Sequence, residues 1–499
     1  MDLLSHLALG FSTAVSFDNL VYCFVGVTLG TLIGVLPGLG PVPTIAMLLP
    51  LTYGMRPDTA LIMLAGIFYG AQYGGSTSAI LVNLPGESSS VITAVEGHQL
   101  ARQGRAGKAL AVAAIASFVA GTISTVLIAL FAPPLAEVAI HFGAPEYFSL
   151  MLCGLVAAVL LANGSLLHGF GMMVLGLLLG LVGTDVNSGA QRFTFQVSEL
   201  ADGIGFVVVA MGLFGLGEIM ANLDHVEAPA APPHRVGGLW LDRDDIRRSV
   251  GPTLRGTLFG SLLGVLPGGG ALLSSFAAYS VEKKISPNRG RFGHGALEGV
   301  AAPESANNAG AQTSFIPMLT LGIPSNPVMA LMISAMMIQG IQPGPSMMVD
   351  QPELFWGVIA SMWIGNLMLL ILNLPLIGLW VKVVAVPYRR LYPAVLMLCA
   401  VGVFSLSGST FDIYMMTAFG VLGYVFAKLR LEAAPLLLGL LLGPMMEEYL
   451  RRALLLSGGD MSIFLTRPAS AALLLVAAVG TVVVMLPAIR RTRGEVFAE

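Results

Sequence analysis

Long stretches without a charged residue constrain the fold of this chain more than any other feature. A helix needs about 20 predominantly apolar residues to cross a bilayer, and a charge buried there is costly. Only 11% of the residues are charged, against roughly 25% in soluble domains. The sequence therefore predicts an all-α polytopic membrane protein. Such uncharged runs include residues 109–136, 147–184, 354–381, 391–411 and 469–489, and several others are similar.

The charge balance excludes a nucleic-acid partner. The net charge is −3, and Lys and Arg form short clusters beside apolar runs rather than one extended basic face. Cys23, Cys153 and Cys399 lie inside apolar runs without CxxC or Cys/His spacing, so neither a disulfide framework nor a zinc site is expected. The expected surroundings are the lipid bilayer.

Three short motifs occur twice in the same order, which indicates a duplicated unit. GVLPG stands at 34–38 and 264–268, GAQ at 70–72 and 310–312, and LMLC at 150–153 and 396–399. A proline follows each GAQ motif, so broken transmembrane helices are expected there. The predicted organisation is a first repeat at 1–227, a cytoplasmic linker at 228–252, a second repeat at 253–465, and a C-terminal transmembrane helix and tail at 466–499.

The distribution of Lys and Arg predicts that the two repeats have inverted topology, because short loops rich in these residues stay in the cytoplasm. After its GAQ motif the first repeat has three basic residues at 102–108, and the second has none at 339–353. Before the LMLC motif the bias reverses, with none at 137–146 and three at 382–390. The linker then lies inside and the N-terminus outside.

This topology predicts re-entrant hairpins. Arg255 and Lys283 both fall on the cytoplasmic side, and the uncharged stretch between them, 256–281, is too short for two crossings of about 20 residues each. A hairpin folded at 267–270 satisfies both conditions, with a counterpart around 37–43 in the first repeat. A broken helix that crosses the bilayer is the alternative reading of the same stretch.

The hairpin tips are candidate anion sites, because Gly and Pro leave backbone amide donors free at the start of the next helix. The four-residue spacing of Gly30, Gly34 and Gly38 also suits close helix packing, so packing alone is the competing interpretation. The substrate-binding candidates at the tips are Gly38, Gly40, Thr44, Gly268, Gly269, Gly270 and Ser274.

Neutral polar residues around the GAQ motifs predict a polar cavity fed by both repeats. At membrane depth such groups need partners, and non-helical backbone is tolerated only against protein or a wet cavity. Hydroxyl and amide groups can bind carboxylate oxygens or, through oxygen, a sodium ion. Interhelical hydrogen bonding is the alternative role for any one of them. The candidates are Gln72, Ser76, Thr77, Asn83, Asn308, Gln312, Thr313, Ser314 and Asn326.

Glu87 and Glu304 are the acidic residues nearest to these breaks, so they are candidates for coupling to a cation or proton. Capping of a helix end is the alternative. No permanent metal and no cofactor beyond a coupling ion, sodium or proton, is expected; a transient sodium site is expected near Asn83 and Asn308. HExxH, GxSxG and a complete P-loop are all missing, so the chain is not expected to be an enzyme.

Five motifs carry a resemblance to a known family: GVLPG at 34–38, GGSTSAIL at 74–81, NLPGE at 83–87, PESANNA at 303–309 and LGIP at 321–324. Together they resemble the large membrane subunit of bacterial tripartite tricarboxylate transporters, the TctA family. The resemblance covers nearly the whole chain and implies a carboxylate importer of the bacterial inner membrane, driven by a sodium or proton gradient. It also implies two partners, a small membrane subunit and a periplasmic solute-binding protein, and a di- or tricarboxylate substrate such as citrate.

Hairpins and broken helices from two repeats would enclose one site near the bilayer midplane, so an elevator-like alternating-access mechanism is expected. Two other classes fit the same polar residues. One is a membrane-embedded enzyme acting on a lipid or acyl substrate, and the other is a channel whose filter consists of the broken segments.

Overall fold

A computed structural model provides the structure of the chain. For residues 388–391 it describes the backbone alone. The described residues are 3–36, 40–162, 165–185, 187–224, 236–268, 270–384, 386 and 388–485.

The first half of the chain forms ten α-helices and one short hairpin of strands within the described residues. The strands β1 (Gly183–Thr184) and β2 (Gln191–Arg192) pair antiparallel, with Gly183 opposite Arg192. A π-helical turn, Met211–Leu216, joins the last two helices into one continuous apolar segment. The helices are α1 (Leu3–Ala14), α2 (Phe17–Gly34), α3 (Pro41–Leu48), α4 (Pro57–Val82), α5 (Val91–Arg102), α6 (Ala106–Ala139), α7 (Ala144–Leu161), α8 (Leu166–Gly180), α9 (Phe206–Ala210) and α10 (Gly217–Asp224).

In the described part of the second half, all the regular elements are helices. 3₁₀ turns at Leu49–Thr52, Ser88–Ser90, Ser198–Leu200 and Arg289–Arg291 complete the secondary structure of the two halves. The helices are α11 (Arg243–Gly264), α12 (Gly270–Ile285), α13 (Glu298–Thr313), α14 (Phe315–Leu321), α15 (Pro327–Ile338), α16 (Met347–Asp350), α17 (Pro352–Asn373), α18 (Ile377–Val384), α19 (Tyr388–Ser407), α20 (Thr410–Lys428), α21 (Ala434–Leu456), α22 (Ile463–Thr466) and α23 (Pro468–Met485).

The predicted all-α polytopic membrane fold is confirmed. The main apolar core runs along α4, α14, α15 and α17, where Trp356 and Phe315 are completely buried. The uncharged run at 147–184 contains two helices, α7 and α8, rather than one. Within the described part of the chain, seven segments are long and apolar enough to cross a membrane: Phe17–Gly34, Ala106–Ala139, Ala144–Leu161, Phe206–Leu223, Pro352–Asn373, Thr410–Lys428 and Pro468–Met485.

The helices around the repeated motifs have the same order in both halves. In each half, two helices flank the GVLPG motif and are followed by a buried helical segment with the GAQ motif. That segment ends at a left-handed residue, Asn83 (φ 57°) or Gly322 (φ 69°), which stands two positions before Pro85 or Pro324. A new helix, α5 or α15, then begins. This shared order fits the predicted duplication, and the inverted orientation of the two copies stays a prediction.

The second repeat contains a helical hairpin where the sequence predicts one. Arg255 in the middle of α11 pairs with Glu282 near the end of α12, with Nη2 of Arg255 2.8 Å from Oε1 of Glu282. Because α11 ends at Gly264 and α12 begins at Gly270, both beyond this ion pair, the two arms run antiparallel. The helix α11 begins at Arg243, inside the stretch assigned to the linker, because Asp242 caps it through the Asp245 backbone N–H at 2.8 Å.

Glycines let the helices α2 and α11, which precede the two bends, approach the buried helices α4 and α13. A Cβ added to Gly30 would lie 2.3 Å from the carbonyl oxygen of Ile67, and one added to Gly260 would lie 2.3 Å from that of Ala306. Such distances leave no space for a side chain, so the packing interpretation holds for these positions. The same close approach to a backbone oxygen occurs at Gly26, Gly34, Gly256 and Gly264.

Ion pairs between different elements form two groups, one beside the start of α6 and the other around the start of α7, which follows the end of α6. The first group connects elements that the sequence places in the cytoplasm. The second includes Glu146, which the sequence places outside. The first group contains Arg105–Asp245, Lys108–Asp245, Arg248–Glu298 and Arg255–Glu282, and the second contains Arg192–Glu447, Arg451–Asp185 and Arg467–Glu146.

Candidate functional site

Two helices that are buried on all sides carry polar residues into the centre of the molecule. Every residue of α13 is buried, as is every residue of α4 from Thr59 to Val82. A helix surrounded by protein has no solvent-facing side, so its polar side chains must find partners on neighbouring helices. The PESANN motif of α13 and the GAQ and STS motifs of α4 therefore face a common polar interior.

The carboxylate of Glu304 is the centre of this interior. The Ser76 hydroxyl donates to both Glu304 oxygens at 2.7 Å, and the hydroxyls of Thr93 and Ser117 donate as well, the latter at 3.4 Å. Asn308 lies one turn further along α13 and donates to Ser117 Oγ at 2.7 Å. Helices α4, α5, α6 and α13 thus meet at one carboxylate.

A second buried carboxylate, Glu87, lies in the break that follows α4. It accepts a hydrogen bond from the Ser89 hydroxyl and one from Asn307 Nδ2 at 3.2 Å. The Ser89 hydroxyl is also 3.0 Å from Gln72 Oε1. The broken segment of the first repeat is therefore held against the buried helix of the second repeat.

Further polar contacts lie along α6 and α17. Thr125 donates to Gln312 Oε1 at 2.7 Å, and the Tyr73 hydroxyl donates to Asn366 Oδ1 at 2.7 Å. Gly121 makes room for both amides, since an added Cβ would lie within 2.7 Å of the side-chain nitrogens of Asn366 and Gln312.

The tip of the second hairpin meets the break of the same repeat. The Gly268 N–H donates to the Ser325 carbonyl at 2.7 Å, and Gly268 has φ 77°, a left-handed conformation that favours glycine. Ser274 donates to the carbonyl of Gly270, whose φ is 44°. Asn326 caps α15 by accepting from the Met329 N–H at 3.0 Å.

The structure brings many predicted residues into two groups. Gln72, Ser76, Glu87, Glu304 and Asn308 belong to the central network. A second group lies at the second hairpin tip and consists of Gly268, Gly270, Ser274 and Asn326.

Other predicted residues have local partners. The hydroxyls of Thr44, Thr77, Thr313 and Ser314 bond to carbonyls of their own helical segments. Asn83 is exposed, and within the described residues no hydrogen bond joins it to Asn308, which is buried. Gly38 and Gly269 lie outside the described residues, so whether the two tips meet stays a prediction.

Sequence reasoning missed several partners in the central network. Ser117 and Thr93 lie in apolar or amphipathic stretches where a hydroxyl commonly bonds to its own helix, so they gave no signal. Asn366 and Asn373 did give a signal, because they are the two amide side chains within the mostly apolar, uncharged run at 354–381. The missed residues are Ser89, Thr93, Ser117, Thr125, Asn366 and Asn373.

Electrostatically, the centre contains carboxylates without basic partners. In the described part of the chain, no salt bridge joins Glu87 or Glu304 to Lys, Arg or His. Among the same residues, no three His, Cys, Asp or Glu side chains cluster in the way that a multi-carboxylate metal site requires. A buried carboxylate whose partners are neutral side chains can take up a proton or a cation. Hydroxyl and amide oxygens can accept a hydrogen bond from a protonated carboxyl group or bind a cation.

Outside the apolar segments, charge pairs have a structural role. Asp185, at the end of β1, accepts from the backbone N–H of Asn187 at 3.0 Å, from the Ser188 hydroxyl and from Arg451. These donors, led by the Asn187 N–H, hold the pKa of Asp185 well below its usual range.

Comparisons with known proteins agree with these features. The model of the family described as "Tripartite tricarboxylate transporter TctA family" matches residues 20–438. An Agrobacterium vitis protein described as "Uncharacterized 52.8 kDa protein in TAR-I ttuC' 3'region" is 58% identical over 499 residues, 100% of this chain and 99% of that protein. A second one, described as "Uncharacterized protein in TAR-II ttuC' 3'region", is 59% identical over 240 residues, 48% of this chain and 99% of that protein. No solved structure matches.

Proposed function

This chain belongs to the tripartite tricarboxylate transporter TctA family, and we propose that it is the large subunit of an importer for a di- or tricarboxylate such as citrate. A sodium or proton gradient drives the uptake. The family's tripartite composition supports two partners, a small membrane subunit and a periplasmic solute-binding protein that delivers the substrate. The location is the bacterial inner membrane, and the chain transports its substrate without changing it chemically.

One observation carries the proposal of an anionic substrate: two helix N-termini converge at the second hairpin tip. The helix α12 begins at Gly270 and α15 begins at Pro327, and an ideal Cβ on Gly270 would lie 3.9 Å from Cβ of Asn326. The first amides of a helix lack intrahelical acceptors and carry partial positive charge, which favours a carboxylate. Gly268 and Asn326 are half-buried, so a solute can reach them.

The side chain of Asn326 has a donor to offer. Its Oδ1 caps α15, whereas its Nδ2 has one contact in the described part of the chain, 3.5 Å from Ser325 Oγ. A carboxylate oxygen would give this amide a stronger partner than a distant hydroxyl. The cap fixes the side chain, so the free amide is already oriented when the substrate arrives.

A matched pair of substitutions tests this site. Asp and Ser both cap helices well, so Asn326→Asp and Asn326→Ser should both preserve α15. Only Asn326→Asp places a negative charge where the substrate carboxylate binds. In proteoliposome counterflow of a labelled carboxylate, Asn326→Asp should raise the half-saturating concentration by about tenfold or more, equivalent to at least 1.4 kcal/mol. Asn326→Ser should change it by less than about threefold.

The same assay separates the rival functions. A transporter exchanges the labelled carboxylate unchanged, an enzyme converts it, and a channel lets it equilibrate without coupling to an ion gradient. If Asn326→Asp kept the parental half-saturating concentration, the substrate would have to bind elsewhere.

The elevator-like movement predicts a displacement of the second hairpin tip against α7. Gly154 of α7 faces Pro267, since an added Cβ would lie 3.5 Å from Cγ of Pro267. Cysteines at 154 and 267, in a background without Cys23, Cys153 and Cys399, should form a disulfide that stops counterflow until it is reduced. Equal counterflow by the oxidised and reduced proteins would show that this contact does not move during transport.

A further inference from the structure

A small cavity at the centre of the molecule combines a buried carboxylate with a buried oxygen that has no partner. Four helices, α4, α6, α13 and α17, line it, and it has room for about one water molecule. Its lining residues are Tyr73, Ser76, Thr77, Leu110, Ala113, Ala114, Ser117, Glu304 and Asn373.

The side chain of Asn373, at the end of α17, is the unexplained group. It is 4% exposed, and its Nδ2 donates to the Leu369 carbonyl at 2.9 Å, which fixes the orientation of the amide. Its Oδ1 has no hydrogen-bond partner. A buried acceptor without a partner is costly and rare, so it indicates a missing donor or cation.

The oxygen atoms around this cavity can act as ligands of a cation. Glu304 supplies the single negative charge, and Ser76, Thr77 and Ser117 supply hydroxyl oxygens. Hydroxyl groups can donate to a carboxylate in one state and present a lone pair to a cation in the other. Oxygen-only coordination is typical of hard cations, and one carboxylate matches one positive charge.

Another buried glutamate, Glu96, shows how this protein stabilises a carboxylate permanently as an anion. Glu96 accepts from the backbone N–H groups of Gly293, Gly295 and Ala296 and from the Tyr279 hydroxyl. Backbone N–H groups can only donate, so they stabilise the anion and leave no place for a cation. Glu304 has only hydroxyl donors, and these can be turned toward an incoming ion.

From these observations we propose that the cavity binds one dehydrated monovalent cation of about the size of sodium. Its ligands are Glu304, Ser76, Ser117 and Asn373, with Thr77 at the wall. The inference rests on the proposed function, in which this cation is the coupling ion. Binding of the cation can be tested without any carboxylate substrate. A proton on Glu304 together with one water that donates to Asn373 Oδ1 is the alternative occupant of the cavity, and the sodium titration below distinguishes the two.

The test measures thermal unfolding of the purified full-length protein in sodium-free choline buffer. Added sodium chloride should raise Tm along a saturable curve, since a ligand that binds only the folded protein stabilises it by mass action. Choline chloride at equal ionic strength should not. Glu304→Gln should abolish the sodium response, and Asn373→Leu should shift its midpoint to at least tenfold higher sodium.

Asn373→Leu also gives a result that a damaged protein cannot give. Because leucine removes the unpartnered oxygen, this variant should have an equal or higher Tm than the parent without sodium, and the order should reverse at saturating sodium. Ser361→Ala is the matched control on α17: this buried hydroxyl bonds to the Val358 carbonyl at 2.7 Å, away from the cavity, and its removal should leave the sodium midpoint unchanged.

Two outcomes would overturn the inference: no sodium response beyond that to choline, or a parental midpoint in Asn373→Leu. Failure of the proposed function looks different. If sodium stabilises the protein but no carboxylate exchanges in counterflow, the cation site stands and the importer proposal falls. If carboxylate exchange is intact and depends on a proton gradient with no effect of sodium, the importer stands and the sodium site falls.

Discussion

The carboxylates at the ends of the molecule and those at its centre have different partners. At the ends, Glu298 and Glu282 accept bidentate hydrogen bonds from Arg248 and Arg255 at 2.8–2.9 Å. At the centre, Glu304 has three hydroxyl donors and no basic partner among the described residues. Arginine pairs fix geometry permanently, whereas a carboxylate held by hydroxyls can exchange a cation or proton. The difference separates carboxylates that hold the architecture from those that are free to take part in transport.

The sharpest test compares Glu304→Gln with Glu298→Gln. Glu304→Gln should lower ion-driven carboxylate accumulation by about 100-fold or more, because the only charge in the cavity is lost, and it should leave Tm in sodium-free buffer unchanged or higher. Glu298→Gln should lower Tm, because Arg248 loses its partner, and retain more than about half of the accumulation. Uptake into proteoliposomes and thermal unfolding measure the two effects. If both variants lost accumulation, or both lost thermal stability alone, Glu304 and Glu298 would not have the different roles described here.

The second prediction concerns how Glu304 is positioned, since no ion pair holds it. We expect that close packing of α11 on α13 fixes its position. Gly260→Ala would place a methyl group 2.3 Å from the carbonyl oxygen of Ala306, two residues along α13 from Glu304, and should destabilise the fold by about 1–3 kcal/mol. Gly171→Ala in α8 is the control, since an added Cβ there has no atom within 4 Å and should be neutral or stabilising. Equal unfolding curves for both variants would contradict this account.

At the end predicted to be cytoplasmic, a double-mutant cycle measures the hairpin clamp. Arg255→Gln leaves Glu282, which is 1% exposed, as a buried charge without its partner, and should cost about 1–2 kcal/mol, because the arginine itself is 42% exposed. Adding Glu282→Gln should recover most of that loss. Uptake per folded molecule should stay near the parental value throughout. Loss of coupling in either single variant would place these charges in the transport machinery.

Much of the fold was predictable because its signals are local. Uncharged runs identify the helices, and Pro85 and Pro324 mark the two breaks without knowledge of what packs where. The start of α11 carried a local signal too, the Asp242 cap with Asp245 three positions later, but a charged stretch between repeats resembles a linker. The boundary therefore depended on recognising a cap rather than on hydropathy.

The candidate site was predictable only in part, because its partners come from tertiary packing. Glu304, Ser76 and Asn308 stood out as polar groups next to breaks. Ser117 did not, since α6 is a long apolar helix and nothing in its sequence shows that this hydroxyl turns toward a carboxylate on α13. Asn373 is visible as an amide in an apolar run, but its role depends on a cavity that forms only when four helices meet.

The smallest expected effect concerns Asp185, at the other end of the molecule. Its folded pKa lies below the unfolded value of about 3.9, so its contribution to stability is present above that value and is lost as pH falls through the folded pKa. Asp185→Asn should therefore lower Tm by a constant small amount between about pH 5 and 7, and the difference should shrink below about pH 4. Asp202→Asn, at an exposed position without an ion pair in the described part of the chain, is the matched control and should leave Tm close to the parental value. If Asp185→Asn changed carboxylate uptake rather than stability, charges at this end would act on transport, and the division between architectural and exchangeable carboxylates would fail.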